Sequence, residues 1–157
     1  KINLKGTEVT LDVPASPTFI GLRQKDFNAT ISVDVGVTSG EAGITIYMDE
    51  NHHYEVAIRG QQDGYKVVER LNIGDIKSIE HEVELGNKQY ATLVIRSSQE
   101  RYSILFQAEG EEILLGTAQT RYLSSEVAGG FTGVLIGLYA TGENAVAEFT
   151  NFKCDYH

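Results

Sequence analysis

The sequence has few of the residues that form disulfide bonds and cysteine-based metal sites, and it has no long apolar run of the kind that spans a membrane. Its 157 residues include one cysteine, two prolines, one methionine and no tryptophan. A single cysteine, Cys154, excludes an internal disulfide framework and a zinc site built from cysteines. No apolar run approaches the roughly 18 residues of a membrane-spanning helix, so no membrane partner is predicted. The lack of tryptophan counts against a free-standing sugar-binding module, because stacking on sugar rings usually relies on flat aromatic side chains.

Positive charge is also scarce. Lys and Arg number 13 against 22 Asp and Glu, which gives a formal net charge of −9 at pH 7. An acidic chain repels phosphate backbones, so nucleic acid is not expected as a partner. The length and the 41% of hydrophobic residues fit one globular domain over residues 1–157.

Period-two alternation of apolar and polar residues dominates the sequence. From residue 27 to 38 every odd position is apolar and every even one is polar or glycine, which is typical of a half-buried strand. Shorter runs of the same kind follow, separated by turn residues. Residues 134–140 and 145–149 are apolar on both faces, so they are predicted to be central strands covered on both sides. The pattern predicts an all-β, two-sheet antiparallel β-sandwich of about a dozen strands.

Candidate catalytic and metal-binding residues are few. Glu80, Glu82 and Glu84 form a carboxylate row, and glycosidases use paired carboxylates. The residues beside them are charged, however, so a solvated strand face opposed by basic neighbours is expected. His52 and His53 are adjacent, so they point to opposite faces of a strand and cannot easily chelate one metal. The sequence therefore predicts no catalytic set and no transition-metal site.

One segment stands apart from the strands. Residues 128–133 place a large apolar ring, Phe131, among small residues directly before an apolar strand. Glycines allow the backbone to adopt positive φ or to lie close against another surface. Such a ring is either a plug in the core or an exposed anchor for a partner.

The stretch from Thr120 to Gly142, TRYLSSEVAGGFTGVLIGLYATG, closely resembles one in the C-terminal domain of glycoside hydrolase family 43 β-xylosidases and α-L-arabinofuranosidases. Further matches follow the order of that domain and extend the resemblance over nearly the whole chain. They are SPTFIGLRQ at 16–24, EAGITIY at 41–47, NHHYE at 51–55 and FTNF at 149–152. The resemblance implies a concanavalin A-like jelly roll.

The same resemblance implies that the chemistry lies elsewhere. Family members carry an Asp base, a second Asp and a Glu acid on an N-terminal five-bladed β-propeller and invert the anomeric carbon. The chain would then be an accessory domain from a longer enzyme, partnered by that propeller and a xylo-oligosaccharide. Phe131 would reach across and help wall the xylose pocket. The residues that support it in its loop would be Gly129, Gly130, Thr132 and Gly133.

An alternative is an autonomous carbohydrate-binding module for xylan or xylo-oligosaccharides, because concanavalin A-like domains often bind glycans on the concave sheet face. Tyr47, His53, Tyr54 and Arg59 are the candidates for that face, since they offer stacking and hydrogen bonds.

No cofactor is predicted. Jelly rolls often hold a structural calcium, and Glu143, Glu148 and Asp155 could supply oxygens. No loop has a recognisable calcium-binding spacing, so no metal site is assigned.

Overall fold

Every regular element among the described residues is a β-strand. The computed structural model describes residues 2–5, 18–24, 28–49, 52–61, 64–73, 76–108, 110–119, 135–142 and 146–157. The strands are β1 (Ile2–Lys5), β2 (Thr18–Arg23), β3 (Ala29–Val37), β4 (Gly40–Asp49), β5 (His52–Gln61), β6 (Gly64–Ile73), β7 (Ile76–Gly86), β8 (Tyr90–Ser97), β9 (Arg101–Ala108), β10 (Glu111–Gln119), β11 (Leu135–Thr141) and β12 (Val146–Tyr156).

The strands form two six-stranded antiparallel sheets. Sheet A has the order β1-β12-β3-β8-β9-β10, and sheet B has the order β2-β11-β4-β5-β6-β7. Strands β4 to β7 and β8 to β10 run as successive hairpins, whereas β11 and β12 return to lie beside early strands. Gly86 at the end of β7 and Gly110 between β9 and β10 have φ of 65° and 84°, values that glycine adopts without a steric penalty. The predicted two-sheet antiparallel sandwich is confirmed.

The core lies between the sheets and follows the alternation of the sequence. In β3, the inward side chains of Ala29, Ile31, Val33, Val35 and Val37 are all buried. The intervening residues from 30 to 34 are only partly buried, because alternate side chains point to opposite faces. Inward residues of sheet B complete the cluster, so one continuous apolar layer holds the sheets together.

Two tyrosines join the sheets within this layer. Tyr54 of β5 and Tyr102 of β9 make an edge-on contact with ring centroids 5.8 Å apart. The Tyr102 hydroxyl donates a 3.0 Å hydrogen bond to Gln24 Oε1, and Gln24 Nε2 donates one to Ser97 Oγ. The buried phenol of Tyr102 is thereby satisfied, as a polar atom in a core must be.

The two apolar runs near the end of the chain behave differently. In β11, residues 136 to 140 are buried whichever face they point to, as predicted for a covered strand. In β12, Val146 is exposed, so the prediction of burial on both faces is wrong there. Strand β12 has only the short β1 beyond it, and its outward face looks away from the core.

Candidate functional site

The loop predicted to carry the pocket-wall residue lies outside the described residues. This applies to Phe131 and to its neighbours Gly129, Gly130, Thr132 and Gly133. The role of Phe131 therefore stays a prediction.

The predicted glycan-facing residues do not share one surface. Tyr47 of β4 lies directly opposite His53 of β5, and both point to the outer face of sheet B, away from the core. Arg59 of β5 lies on the same face. Tyr54 points the other way and is fully buried in the core cluster. The prediction that Tyr54 belongs to a glycan face is wrong, because adjacent residues of a strand alternate between faces.

A buried carboxylate organises this outer face. Glu41 of β4 pairs across the strands with Arg59, whose Nε and Nη2 donate to Glu41 Oε1 at 3.1 and 2.6 Å. Arg70 of β6 donates to both carboxylate oxygens, with Nη1 2.7 Å from Oε2. The hydroxyl of Tyr139 of β11 donates to Oε2 at 2.5 Å. Three strands thus supply donors to one carboxylate, and each of its oxygens is occupied.

The electrostatics keep Glu41 ionised. Burial alone would raise its pKa, but hydrogen bonds and charges from Arg70, Tyr139 and Arg59 prevail and lower the pKa from 4.5 to about 2. Burial and the Glu41 charge together raise the pKa of the Tyr139 hydroxyl well above 10. A carboxylate with so low a pKa holds no proton near neutral pH, so Glu41 is unsuited to general acid catalysis.

A second cluster on the same face is centred on His53, which is 1% exposed. Its ring stacks on Tyr47 with centroids 5.6 Å apart. Its Nδ1 lies 2.7 Å from Glu55 Oε2, and its Nε2 lies 3.0 Å from Asn72 Nδ2. The carboxylate can only accept, so Nδ1 carries a proton and donates to Glu55, while Nε2 contacts the side-chain amide of Asn72. Both ring nitrogens of His53 are therefore engaged.

The two clusters meet at Arg70. Its Nη1 lies 3.5 Å from Glu55 Oε1, so the fixed charges of Arg59 and Arg70 balance those of Glu41 and Glu55. Three buried polar atoms on this face have no hydrogen bond within the described part of the chain: Thr45 Oγ1, Glu55 Oε1 and Asn72 Oδ1. The face is thus a buried network of paired charges and hydrogen bonds that retains only a little acceptor capacity.

Sequence reasoning found Tyr47, His53 and Arg59 but missed the centre of the network. Glu41 and Tyr139 are 98 residues apart in the sequence, and Arg70 follows Glu41 by 29. Only the cross-strand register brings them together. The available signal was a charged residue, Glu41, at the start of a strand whose next five residues are largely apolar.

The carboxylate row of β7 behaves as a charged surface. The residues Glu82 and Glu84 are exposed, and Lys66 Nζ of the neighbouring strand donates to Glu82 Oε2 at 3.0 Å. The side chain of Glu80 lies outside the described residues. The expected basic neighbour is thus present, and the two described carboxylates form no closed catalytic pair.

The described residues contain no cluster of three or more His, Cys, Asp or Glu side chains able to hold a metal ion. Of the residues considered for calcium, Asp155 is exposed and Glu148 is partly buried, while Glu143 lies outside the described residues. Within the same part of the chain, no helix has the length and apolar character needed to span a membrane.

The fold and this face define a concanavalin A-like β-sandwich without a recognisable catalytic constellation in its described part. Residues 1–155 match the family described as "Beta xylosidase C-terminal Concanavalin A-like domain". The chain belongs to this family of glycoside hydrolase family 43 C-terminal domains.

Longer enzymes contain domains similar to this chain. It is 34% identical to the non-reducing end α-L-arabinofuranosidase BoGH43B of Bacteroides ovatus, over 98% of this chain and 31% of that protein. The solved B. ovatus structure titled "Xyloglucan PUL GH43B" superposes with a TM-score of 0.82 at 33% identity, over 98% of this chain and 32% of that one. A xylan β-1,4-xylosidase from Bacillus halodurans superposes with a TM-score of 0.86 at 20% identity, over 98% and 32% of the two chains. The chain thus spans about a third of the proteins it matches.

Proposed function

We propose that this chain is the accessory C-terminal domain of a β-xylosidase-type glycoside hydrolase, and that it packs on an N-terminal catalytic propeller and helps to wall the xylose pocket. The observation that carries the proposal is the match of 98% of the chain to only 31% of a family 43 arabinofuranosidase. Two thirds of such an enzyme therefore lies outside this domain. That remainder is where the catalytic carboxylates would lie.

Phe131 is the residue through which this domain would assist the catalytic domain. An apolar ring at the rim of a sugar pocket excludes water and closes the pocket around a terminal residue, as cleavage from a chain end requires. Flanking glycines allow the loop to approach another surface closely. A rigid sandwich is a suitable base for such a loop, because a wall that moves would lose its complementarity to the substrate.

The network of paired charges on sheet B supports an accessory role over catalysis. The carboxylate of Glu41 is held ionised by two arginines and a tyrosine, and Glu55 is engaged by His53 and Arg70. Inverting glycosidases need one carboxyl group that is protonated and another that activates water. We therefore expect no turnover of an aryl xyloside by the 157-residue chain alone.

The alternative of a glycan-binding module on this same face receives less support. Tyr54 is in the core, His53 has both ring nitrogens engaged, and Arg59 is bound to Glu41. Of the four candidate residues, only Tyr47 keeps a partly exposed ring, and that ring already stacks on His53.

The pocket-wall proposal is tested by Phe131→Ala in the full-length parent enzyme. We expect kcat/KM on an aryl xyloside to fall by about tenfold or more, with an unchanged melting temperature. Phe131→Leu, which keeps apolar bulk, should retain much of the activity. Leu114→Ala is the matched control, because Leu114 is an exposed apolar side chain on β10. Equal kcat/KM for Phe131→Ala and the wild type would overturn the proposal.

A further inference from the structure

The edge strands of the two sheets differ in how well they are protected from pairing with another chain. In the described part of the chain these edges are β1, β2, β7 and β10. An edge presents backbone groups that a further strand can pair with, and proteins guard it with short strands or charged side chains. Strands β1 and β2 have four and six residues, and β7 carries Lys77, Glu80, Glu82 and Glu84. Strand β10 has nine residues, and those from 113 to 119 bear no charge.

Strand β10 also exposes two large apolar side chains. Leu114 is 58% exposed and Ile113 is 38% exposed, and they point to opposite faces because they are adjacent on a strand. Leu114 ends a cross-strand row with Leu105 of β9 and Val94 of β8, both of which are buried. The apolar row thus runs to the edge of sheet A and ends in solvent at Leu114, as is typical of an interaction surface.

The outward side chains of β10 are complementary to themselves when the strand is read in the opposite direction. They are Glu112, Leu114 and Thr117, which lie opposite Gln107, Leu105 and Ser103 of β9. The shift of register between Leu114 and Gly116 adds one residue, so all three stay on one face. A two-fold axis through Leu114 would place Leu114 against its own copy and Glu112 against Thr117 of the second copy. A carboxylate would then meet a hydroxyl donor.

The charges near such an axis do not oppose the pairing. Arg96 neutralises Glu112 through two N–O contacts of 2.7 Å. Glu112 and Leu114 are two residues apart, so the two copies of Glu112 would lie about 14 Å from each other by strand geometry. That separation exceeds the Debye length of about 8 Å at physiological ionic strength. A second copy therefore meets an uncharged centre, with neutralised charges on either side of it.

We propose that β10 is an interface between two copies of this chain, in which the two β10 strands pair antiparallel about a two-fold axis at Leu114. Two copies of the six-stranded sheet A would join into one continuous sheet through a ladder of backbone hydrogen bonds. The apolar row from Val94 to Leu114 would continue into the second copy. The contact is closed, because both copies use the same patch and no further copy can add to it.

The occupant is a second copy because the match is between β10 and its own reverse. An apolar edge by itself accepts many extended segments, but the reciprocal contact of Glu112 with Thr117 needs both residues on the incoming strand. The interface uses neither Phe131 nor the xylose pocket. It can therefore fail separately from the proposed function, since one is measured by the activity of the parent enzyme and the other by the mass of this chain in solution.

The first test is the mass of the 157-residue chain, measured by sedimentation equilibrium from about 5 μM to about 500 μM. We expect a monomer–dimer equilibrium that shifts toward the dimer when salt is added. Each copy carries a formal net charge of −9, and salt screens the repulsion between the copies. A monomer at every concentration would overturn the proposal. A series of larger oligomers would overturn it as well, because a closed contact cannot grow.

Leu114→Lys tests the axis itself, because it sets two positive charges against each other in the proposed dimer. We expect the dimerisation constant to weaken about tenfold or more, with an unchanged melting temperature of the dilute monomer, since Leu114 is exposed. Val146→Lys is the matched control. Val146 is an exposed apolar residue of β12, which three strands of sheet A separate from β10. Equal dimerisation constants for Leu114→Lys and the wild type would contradict the proposed axis.

Cysteine cross-linking tests the geometry of the pairing. The chain has one cysteine, Cys154, so Leu114→Cys in a Cys154→Ala background leaves a single thiol in each chain. Residues that face each other across an antiparallel pair have Cα atoms about 4.5 to 5.5 Å apart, which a disulfide can span. We expect oxidised glutathione to link the variant into a dimer, and Val146→Cys in the same background to stay monomeric. Failure of Leu114→Cys to cross-link would overturn the proposed pairing.

Discussion

The outer faces of the two sheets place their charges in different environments. On sheet B, the carboxylate of Glu41 is buried beneath Arg59, Arg70 and Tyr139. On sheet A, Arg96 of β8 makes a bidentate pair with Glu112 of β10, with both N–O distances 2.7 Å. Those two side chains are 44% and 33% exposed. Both carboxylates are held by arginines, but Glu41 accepts from two of them and a tyrosine, Glu112 pairs with one, and only Glu41 is shielded from water.

This difference in solvent access decides how much the ion pairs of each face contribute to the stability of the fold. An exposed pair gains little, because water and salt screen its attraction. A buried pair is costly to form, but it becomes costly to break as well, because removing one partner leaves an uncompensated charge in a poorly solvated site. Removing one member of the buried pair on sheet B should therefore cost more stability than removing one member of the exposed pair on sheet A.

The largest expected effect comes from breaking the buried network. Glu41→Ala leaves Arg59 and Arg70 without their carboxylate and should lower the free energy of unfolding by about 3 kcal/mol. Glu112→Ala makes the same deletion on the exposed face and should cost less than about 1 kcal/mol. Urea denaturation of both variants and the wild type measures the difference. Equal losses of unfolding free energy in Glu41→Ala and Glu112→Ala would show that burial of the carboxylate does not determine the cost of removing it.

Acid should weaken the same network. The folded-state pKa of Glu41 is lowered to about 2 from 4.5, so its ionised form stabilises the fold at pH values above the unfolded pKa. This contribution is lost as the pH falls toward the folded pKa. Glu41→Gln, which cannot ionise, lacks it at every pH.

The measurement is the difference in free energy of unfolding between the wild type and Glu41→Gln. We expect that difference to narrow between about pH 5 and about pH 2. A difference that stays constant over this range would contradict the assigned role of the Glu41 charge. Residues titrating elsewhere act on both proteins and therefore cancel in the comparison.

The sequence predicted strands in both sheets where apolar and polar residues alternate cleanly or where a run is apolar throughout. Strand β3 shows every inward residue buried and is the clearest case. Strands β1, β2, β6 and β10 were not identified from alternation. In β6, a buried charged residue, Glu69, interrupts the apolar pattern of the inward face. In β10, the pairing with β9 shifts register between Leu114 and Gly116, which leaves Leu115 as an extra residue. A bulge moves every later side chain to the other face.

The site was less predictable than the fold. The same alternation that separates His52 from His53 also separates His53 from Tyr54, so the misplacement of Tyr54 was avoidable. The partners of Glu41 were not accessible in this way, because the contact with Tyr139 depends on how β11 returns to lie beside β4. Cross-strand register is a property of the assembled sheet, and single-strand periodicity carries no information about it.

The smallest expected effect on stability concerns the exposed ion pair of Arg96 and Glu112. Arg96 lies opposite Ser103 and Glu112 opposite Gln107, so the ion pair passes over Leu105, which lies between them on β9. Leu105 points outward yet is buried, and Val94 and Leu114 lie directly opposite it on the neighbouring strands. We expect the stem of Arg96 to add to this cover, because an arginine stem can lie on apolar surface while its head stays in water.

A double-mutant cycle with Arg96→Ala and Glu112→Ala separates these contributions. We expect an interaction energy below about 1 kcal/mol that shrinks in high salt. The single loss for Arg96→Ala should exceed that for Glu112→Ala, because only the arginine stem is expected to add to the cover of Leu105. Arg96→Met keeps the stem and should recover most of that excess. An interaction energy as large as the loss in Glu41→Ala would mean that the exposed pair is as costly to break as the buried one.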